Sequence, residues 1–109
     1  MSALPANFIH SMDACTLAET VLLAASPLGG ITSFAVIHDS YGTTAAQTED
    51  LAKALRTSFV RMYRDHAPRT ELRERIATLH PNIAKDLPPV PSIGTLNLED
   101  VLAAPYFFN

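Results

Sequence analysis

The chain has 109 residues, 48% apolar and 17% charged, with a net charge of −3 and one cysteine, Cys15. That is enough apolar material for the core of one small domain; it excludes a disordered tail and a disulfide scaffold, and the lone thiol points to a reducing compartment. The charge is uneven: residues 1–50 hold five acids and no base, a balance of −5, while 51–109 hold eight bases and six acids, so the acidic half argues against a free-standing nucleic-acid binder and suits a segment that holds divalent cations.

Met1 to Ala6 carries no basic residues ahead of an apolar stretch, so no secretory leader is expected. Mean hydropathy is +0.13, and the sequence shows no apolar run approaching the twenty or so residues of a membrane span. The spacing predicts a first helix over about 11–25. Leu17, Val21, Ala24 and Leu28 form its apolar stripe, and Ser11 or Asp13 caps its start. Ser26-Pro27 and Gly29-Gly30 end it.

Ile31 to Ile37 is β-branched and aromatic between glycines and predicts a strand. Phe34, Val36 and His38 fall on one face, Ala35, Ile37 and Asp39 on the other. Both faces are apolar, so the strand is expected to be largely buried. Asp39-Ser40 forms a turn, and the segment 31–44 reads as a tight hairpin with Asp39 at its tip.

Thr44 and Gln47 have the spacing of a capping box and open a long helix over about 45–66. Leu51, Leu55, Phe59, Met62 and Tyr63 make its apolar stripe, with Lys53, Arg56, Arg61 and Arg64 mostly off it. Pro68 breaks this helix and starts another, to about residue 80. Pro81, Pro88, Pro89 and Pro91 mark an extended arm without its own core. Asn97 caps a last short helix over about 97–103, stopped by Pro105. The fold class expected is α+β: one hairpin packed against mainly α-helices, with the proline-rich arm.

Ile37-His38-Asp39-Ser40 is the sharpest chemical feature. A carboxylate at a hairpin tip is a hard oxygen ligand on a stiff support, as a divalent-metal site requires. The alternative is an Asx-turn aspartate beside a packed histidine. Lys53 and Arg56 are candidate contacts to nucleic-acid backbone phosphates, or an ordinary solvated helix face. Cys15 and the methionines have no metal-ligand spacing.

Taken together, three segments carry a resemblance: Asn7-Phe-Ile-His-Ser11 followed by Asp13, Gly30 to Thr43 with its His-Asp-Ser core, and Gly94-Thr-Leu-Asn-Leu-Glu-Asp-Val-Leu102 with an aromatic tail. In order and spacing they resemble the C-terminal end of the single-subunit, bacteriophage-type DNA-directed RNA polymerases, over about 5–109. The resemblance implies a palm fragment in which Asp39 is one of two aspartates holding two Mg2+ ions. It implies that His38 supports the hairpin and the primer end, and that His10 lies near the ribose of the incoming nucleotide. DNA template, RNA product and ribonucleoside triphosphates are the implied partners of the complete enzyme, with no membrane.

The same resemblance implies that the partner aspartate and a fingers helix with Lys and Tyr precede residue 1, so the isolated chain is expected not to polymerise. Asp13 sits outside the metal-binding motif. Related DNA polymerases place an acid directly after the His-Asp pair; Ser40 stands there and favours the RNA polymerase branch. Gly42 stands where organelle members carry Trp, which points to a phage or prophage enzyme in a bacterial cytoplasm, with a mitochondrial one as the alternative. Tyr41 replaces the commoner Phe, and Asn109 departs from a small terminal residue. The competing readings are a family-A-like DNA polymerase fragment and a non-enzymatic α+β module that only packs or binds a partner.

Overall fold

The structure, a computed structural model, describes residues 3–27 and 29–107. Its elements are α1 (Leu4–Ala25), β1 (Ala35–Ile37), β2 (Ser40–Gly42), α2 (Thr48–Asp65), α3 (Pro68–Leu79) and α4 (Glu99–Ala103). A mainly helical chain with one small antiparallel hairpin is the α+β class the sequence predicts.

The first helix is longer than its expected span. It begins at Leu4, with Pro5 in its first turn, where a missing N–H leaves no bond unmade. Ser11 therefore lies inside the helix and returns its hydroxyl to the Asn7 carbonyl at 2.8 Å instead of capping. The buried stripe is Met12, Thr16, Thr20 and Ala24, displaced from the expected Leu17–Val21 row. Leu28 lies outside the described residues.

Two threonines are buried there because each satisfies its own hydroxyl. Thr16 donates to the Met12 carbonyl at 3.0 Å and Thr20 to the Thr16 carbonyl at 2.7 Å. Ser58 on α2 does the same to Ala54 at 2.9 Å. Small side chains on these faces let α1 and α2 approach, with Ala24 against Leu51 and Ala54. By length and composition α1 is the one described helix apolar enough to cross a membrane, at a mean hydropathy of 1.2; the expectation of no such run is corrected to that extent. Asp13 and Glu19 lie in its interior, where charge in a bilayer is costly, and a core helix satisfies the same criterion.

After α1 the chain turns back on itself. Ser26 Oγ donates to the Leu23 carbonyl at 2.7 Å, and Gly30 N–H to the Ser26 carbonyl at 2.8 Å. Gly30 has φ +64, and a Cβ on Gly29 would overlap the Ala24 carbonyl, so both glycines are required by the path. Ile31 N–H then bonds the Ala24 carbonyl at 3.0 Å, which seats Ile31 in the core at 1% exposure.

The hairpin pairs Ala35 with Gly42, Val36 with Tyr41 and Ile37 with Ser40. The expectation of a long, buried strand is corrected: β1 has three residues, Ile37 is 70% exposed, and Val36 is half-buried. Only the base of the hairpin has helical cover, where Phe34 and Tyr41 pack against Ala24, Ile31, Leu51 and Ala54. Thr43 Oγ1 donates to the Ser33 carbonyl at 2.8 Å and closes the base.

Thr44 and Gln47 do not form a reciprocal capping box. Thr44 Oγ1 donates to Gln47 Oε1 at 3.0 Å, and Gln47 Nε2 reaches the Gly30 carbonyl at 3.4 Å. A 3-10 turn, Ala45–Gln47, precedes α2. On α2, Leu51, Ala54, Leu55, Ser58 and Val60 are buried. Pro68 opens α3 after Ala67, whose φ of 39 lies in the left-handed region.

Residues 81–96 contain a 3-10 turn, Ala84–Asp86. Arg73 holds this segment against α3, donating to the Pro88 carbonyl at 2.9 Å. Asn97 Oδ1 accepts from the Glu99 N–H at 3.2 Å, but the last helix starts at Glu99 and the residue at its N-cap is Leu98, not the expected Asn97. The described molecule measures 54 × 29 × 27 Å with a radius of gyration of 16.6 Å, well above the roughly 13 Å of a compact chain this long.

Candidate functional site

The hairpin loop is two residues, His38 and Asp39, between the paired Ile37 and Ser40. A two-residue loop needs a positive φ, commonly supplied by glycine. Here His38 takes it, at φ 55. Such a conformation in a non-glycine residue costs about 1–3 kcal/mol and persists where the surroundings hold it. Both side chains at the tip are exposed.

Opposite the tip stands α1. Its 3.6-residue period puts His10, Asp13, Ala14 and Leu17 on one face, and these residues with His38 and Asp39 line an open groove of about 650 Å³. The structure thus brings His10, His38 and Asp39 together from segments more than twenty residues apart. It also adds Asp13, which motif reasoning set aside. Its spacing of three from His10, one helical turn along the same face, was the signal that marks it.

Tyr41 lies behind the tip. Burial pushes its hydroxyl above the ordinary tyrosine range, the Asp13 carboxylate adds to this, a hydrogen bond with Thr20 offsets part of it, and Asp39 contributes the remainder. Tyr63 on α2 is raised by burial and then by Asp13. Asp13 therefore acts electrostatically on the hairpin and on α2 alike.

A divalent ion requires several hard ligands converging on one point. Among the described residues no group of three or more His, Cys, Asp or Glu side chains is arranged to hold one. Asp39 and Asp13 have the right chemistry for magnesium, but the groove supplies part of a ligand set and not a whole one.

Lys53 and Arg56 are not in this groove. They line a separate shallow depression between α2 and α4 with Glu49, Thr57 and Leu102. The Arg56 guanidinium is used inside the chain, while Lys53 pairs loosely with Asp50 at 3.6 Å and stays 71% exposed. Near the end of the described chain, Phe107 meets Phe59 edge-on at 4.9 Å, and Phe59 lies tilted by 47° against Tyr63 at 4.7 Å. Phe108 and Asn109 lie outside the described residues.

The hairpin tip with His38 and Asp39 thus faces the stretch of α1 that carries His10 and Asp13 across one open groove. The family model for DNA-dependent RNA polymerase matches residues 1–85, and the chain belongs to that family. It is 39% identical over 108 residues to the DNA-directed RNA polymerase of Enterobacteria phage K11, covering 98% of this chain and 12% of the relative. It is 37% identical to T7 RNA polymerase of Escherichia phage T7, again over 98% of this chain and 12% of the relative. Against DNA-directed RNA polymerase 2A of Nicotiana tabacum it is 40% identical over 99% of this chain and 31% of the relative. The chain thus spans about an eighth of the phage relatives' length and aligns with their C-terminal segment.

Proposed function

We propose that the chain is the C-terminal palm portion of a single-subunit RNA polymerase, contributing one wall of a template-directed nucleotidyl-transfer site. The observation that carries this reading is the groove that joins His10 on α1 to His38 and Asp39 on the hairpin. In it, Asp39 would hold magnesium together with a carboxylate from outside this chain, and the metal would supply activation of an attacking hydroxyl and charge neutralisation of a leaving pyrophosphate.

The chain's own residues orient and select. His38 holds the tip in its strained turn, so that Asp39 projects into the groove. His10, across from it, is placed to contact the sugar of a ribonucleoside triphosphate, where a hydrogen bond to a 2′-hydroxyl separates RNA from DNA precursors. Lys53, which keeps its charge toward solvent, is the better placed of the two basic candidates for a phosphate of the DNA template or RNA product; Arg56 is tied within the chain. Gly42 favours a phage or prophage enzyme working in a bacterial cytoplasm over an organelle one.

The isolated chain should incorporate no nucleotide, because one carboxylate wall does not hold two ions. The test joins it to the remaining part of a related phage polymerase and measures ribonucleotide incorporation with magnesium. Activity should be restored, and Asp39→Asn should lower it at least about a hundredfold, the scale of losing one group that stabilises transition-state charge. Full activity in the Asp39→Asn hybrid would sink the reading. A hybrid that folds but never incorporates would support a module that only packs.

A further inference from the structure

We propose that the proline-rich arm is a docking element for a second protein. Pro88, Pro89 and Pro91, led by Lys85, form a polyproline II ridge that fits a domain whose groove is walled by aromatic rings and rimmed by acids. The proposal does not rest on the polymerase site.

The conformation of the arm follows from its sequence. Leu87-Pro88-Pro89-Val90-Pro91 holds three prolines. Each fixes its own φ at about −65° and pushes the residue before it toward extended dihedrals, so every residue from 87 to 91 is constrained. Leu87 shows the outcome, with φ −67 and ψ 130, close to the polyproline II values of about −75° and +145°. Neither helix nor strand runs through 88–94.

A polyproline II helix has three residues per turn, so residues three apart share an edge. Exposure follows that period. Leu87 and Val90 are half-buried and line a cavity with Leu72 and Ile76 of α3. Pro88 and Pro91, on the next edge, border the same cavity yet remain exposed, as does Pro89. Arg73 donates to the Pro88 carbonyl at 2.9 Å and to the Leu87 carbonyl at 3.4 Å, which ties the arm to α3. A ridge held in this way gives up little further freedom on binding.

Lys85 stands three residues ahead of Pro88 and six ahead of Pro91. It is exposed and makes no ion pair among the described residues. A cation at one end gives the ridge a direction and is complementary to an acidic rim. Pro88-Pro89-Val90-Pro91 has the Pro-x-x-Pro spacing that aromatic-lined grooves accept, and its preformed shape is the form in which they accept it. Neither the groove of His10 and Asp39 nor the α1–α2 core uses any of these residues.

The test titrates the 109-residue chain, labelled with nitrogen-15, with a Src-homology-3 domain that takes Pro-x-x-Pro peptides. Binding should saturate at one to one, move the amide signals of residues 85–87 and Val90 most, and weaken as salt rises. Pro88→Ala and Pro91→Ala should each weaken it about tenfold or more, as truncating an anchor residue does. Pro81→Ala, outside the ridge, should leave it unchanged. Lys85→Glu should lower the affinity about fivefold and remove most of the salt dependence. Circular dichroism checks that the helices persist; should a proline variant lose them, Lys85→Glu and Pro81→Ala decide. No saturable binding, proline variants that bind as the parent does, or shifts centred outside the arm overturn the proposal. The hybrid with the remaining part of a related phage polymerase should bind with the same affinity; loss of binding there means that the polymerase itself covers the arm, and overturns the proposal as well. None of these readouts depends on nucleotide incorporation, so failure here is separate from failure of the Asp39→Asn test.

Discussion

Arg56 donates from Nη1 to the Ala52 carbonyl and from Nη2 to the Ala104 carbonyl, each at 3.0 Å. One guanidinium thus joins a turn of α2 to the residue that follows α4, 48 positions along the chain. A five-residue helix is too short to persist unaided. Its attachment comes from this bond, the burial of Val101 and the Arg64–Glu99 ion pair at 2.9 Å.

Arg56→Leu should therefore destabilise the chain by about 1–3 kcal/mol, the scale of losing charge-assisted hydrogen bonds to partly buried carbonyls. Chemical denaturation measures the loss, and amide exchange should show it concentrated between Val101 and Ala104. Arg56→Lys should recover little, because an ammonium on a single stem does not span both carbonyls. Uniform exchange rates across α2 and α4 in the leucine variant would contradict the assignment.

His38 and Ala67 both hold positive φ values without being glycine. His38→Gly and Ala67→Gly should each raise thermal stability, by up to about 1 kcal/mol after the extra entropy cost of glycine. At this chain length that is a rise in Tm of a few degrees, roughly 2–6 °C. The two should part in the assembled polymerase: Ala67→Gly leaves incorporation unchanged, whereas His38→Gly lowers it. Equal activity in both would remove His38 from the site.

Gly29→Ala tests the return of the chain over α1. The added Cβ would meet the Ala24 backbone, and backbone has little room to yield. A loss of about 1–3 kcal/mol is expected, typical of overpacking, with disturbed amide signals at Ile31. Gly94→Ala, whose Cβ would meet nothing, should be close to neutral in the same measurement.

The two raised tyrosines set the alkaline limit. Tyr41 and Tyr63 both titrate above the ordinary value of 10.0 when folded, chiefly because burial disfavours the phenolate. Their contribution is present below about pH 10 and is lost as pH rises through the raised folded values, since the unfolded chain then releases the protons first. The urea midpoint should hold steady from pH 7 to 9 and fall above 10. Tyr63→Phe should reduce the fall. A midpoint unchanged at pH 11 would contradict this.

Elements with a sharp chemical boundary were legible in the sequence. Pro68 marked the junction of α2 and α3, and Asn97 the approach to α4; the hairpin tip falls at His38-Asp39, one residue ahead of the expected Asp39-Ser40 turn, because Ser40 pairs with Ile37. The face of α1 was not legible, because a helix apolar on most sides offers no single stripe. Its buried row runs through Thr16 and Thr20, which reach the interior only because each bonds the carbonyl four residues back. Burial of the strand was misjudged for a related reason: apolar residues on both faces record a need for cover, and the described chain covers one end. The site was legible as His38 and Asp39, and as His10 through its flanking motif. Asp13 required knowing which face of α1 the hairpin meets.

The return at Ala24, Gly29 and Ile31 has a wider consequence. Both walls of the groove belong to one unbroken stretch, residues 10 to 41, whose bend is set largely by main-chain bonds and by the steric need for glycine. The half-site is therefore a cassette: its two walls travel together, keep their mutual aim when cut from a larger body, and are replaceable as a unit while the bend is kept.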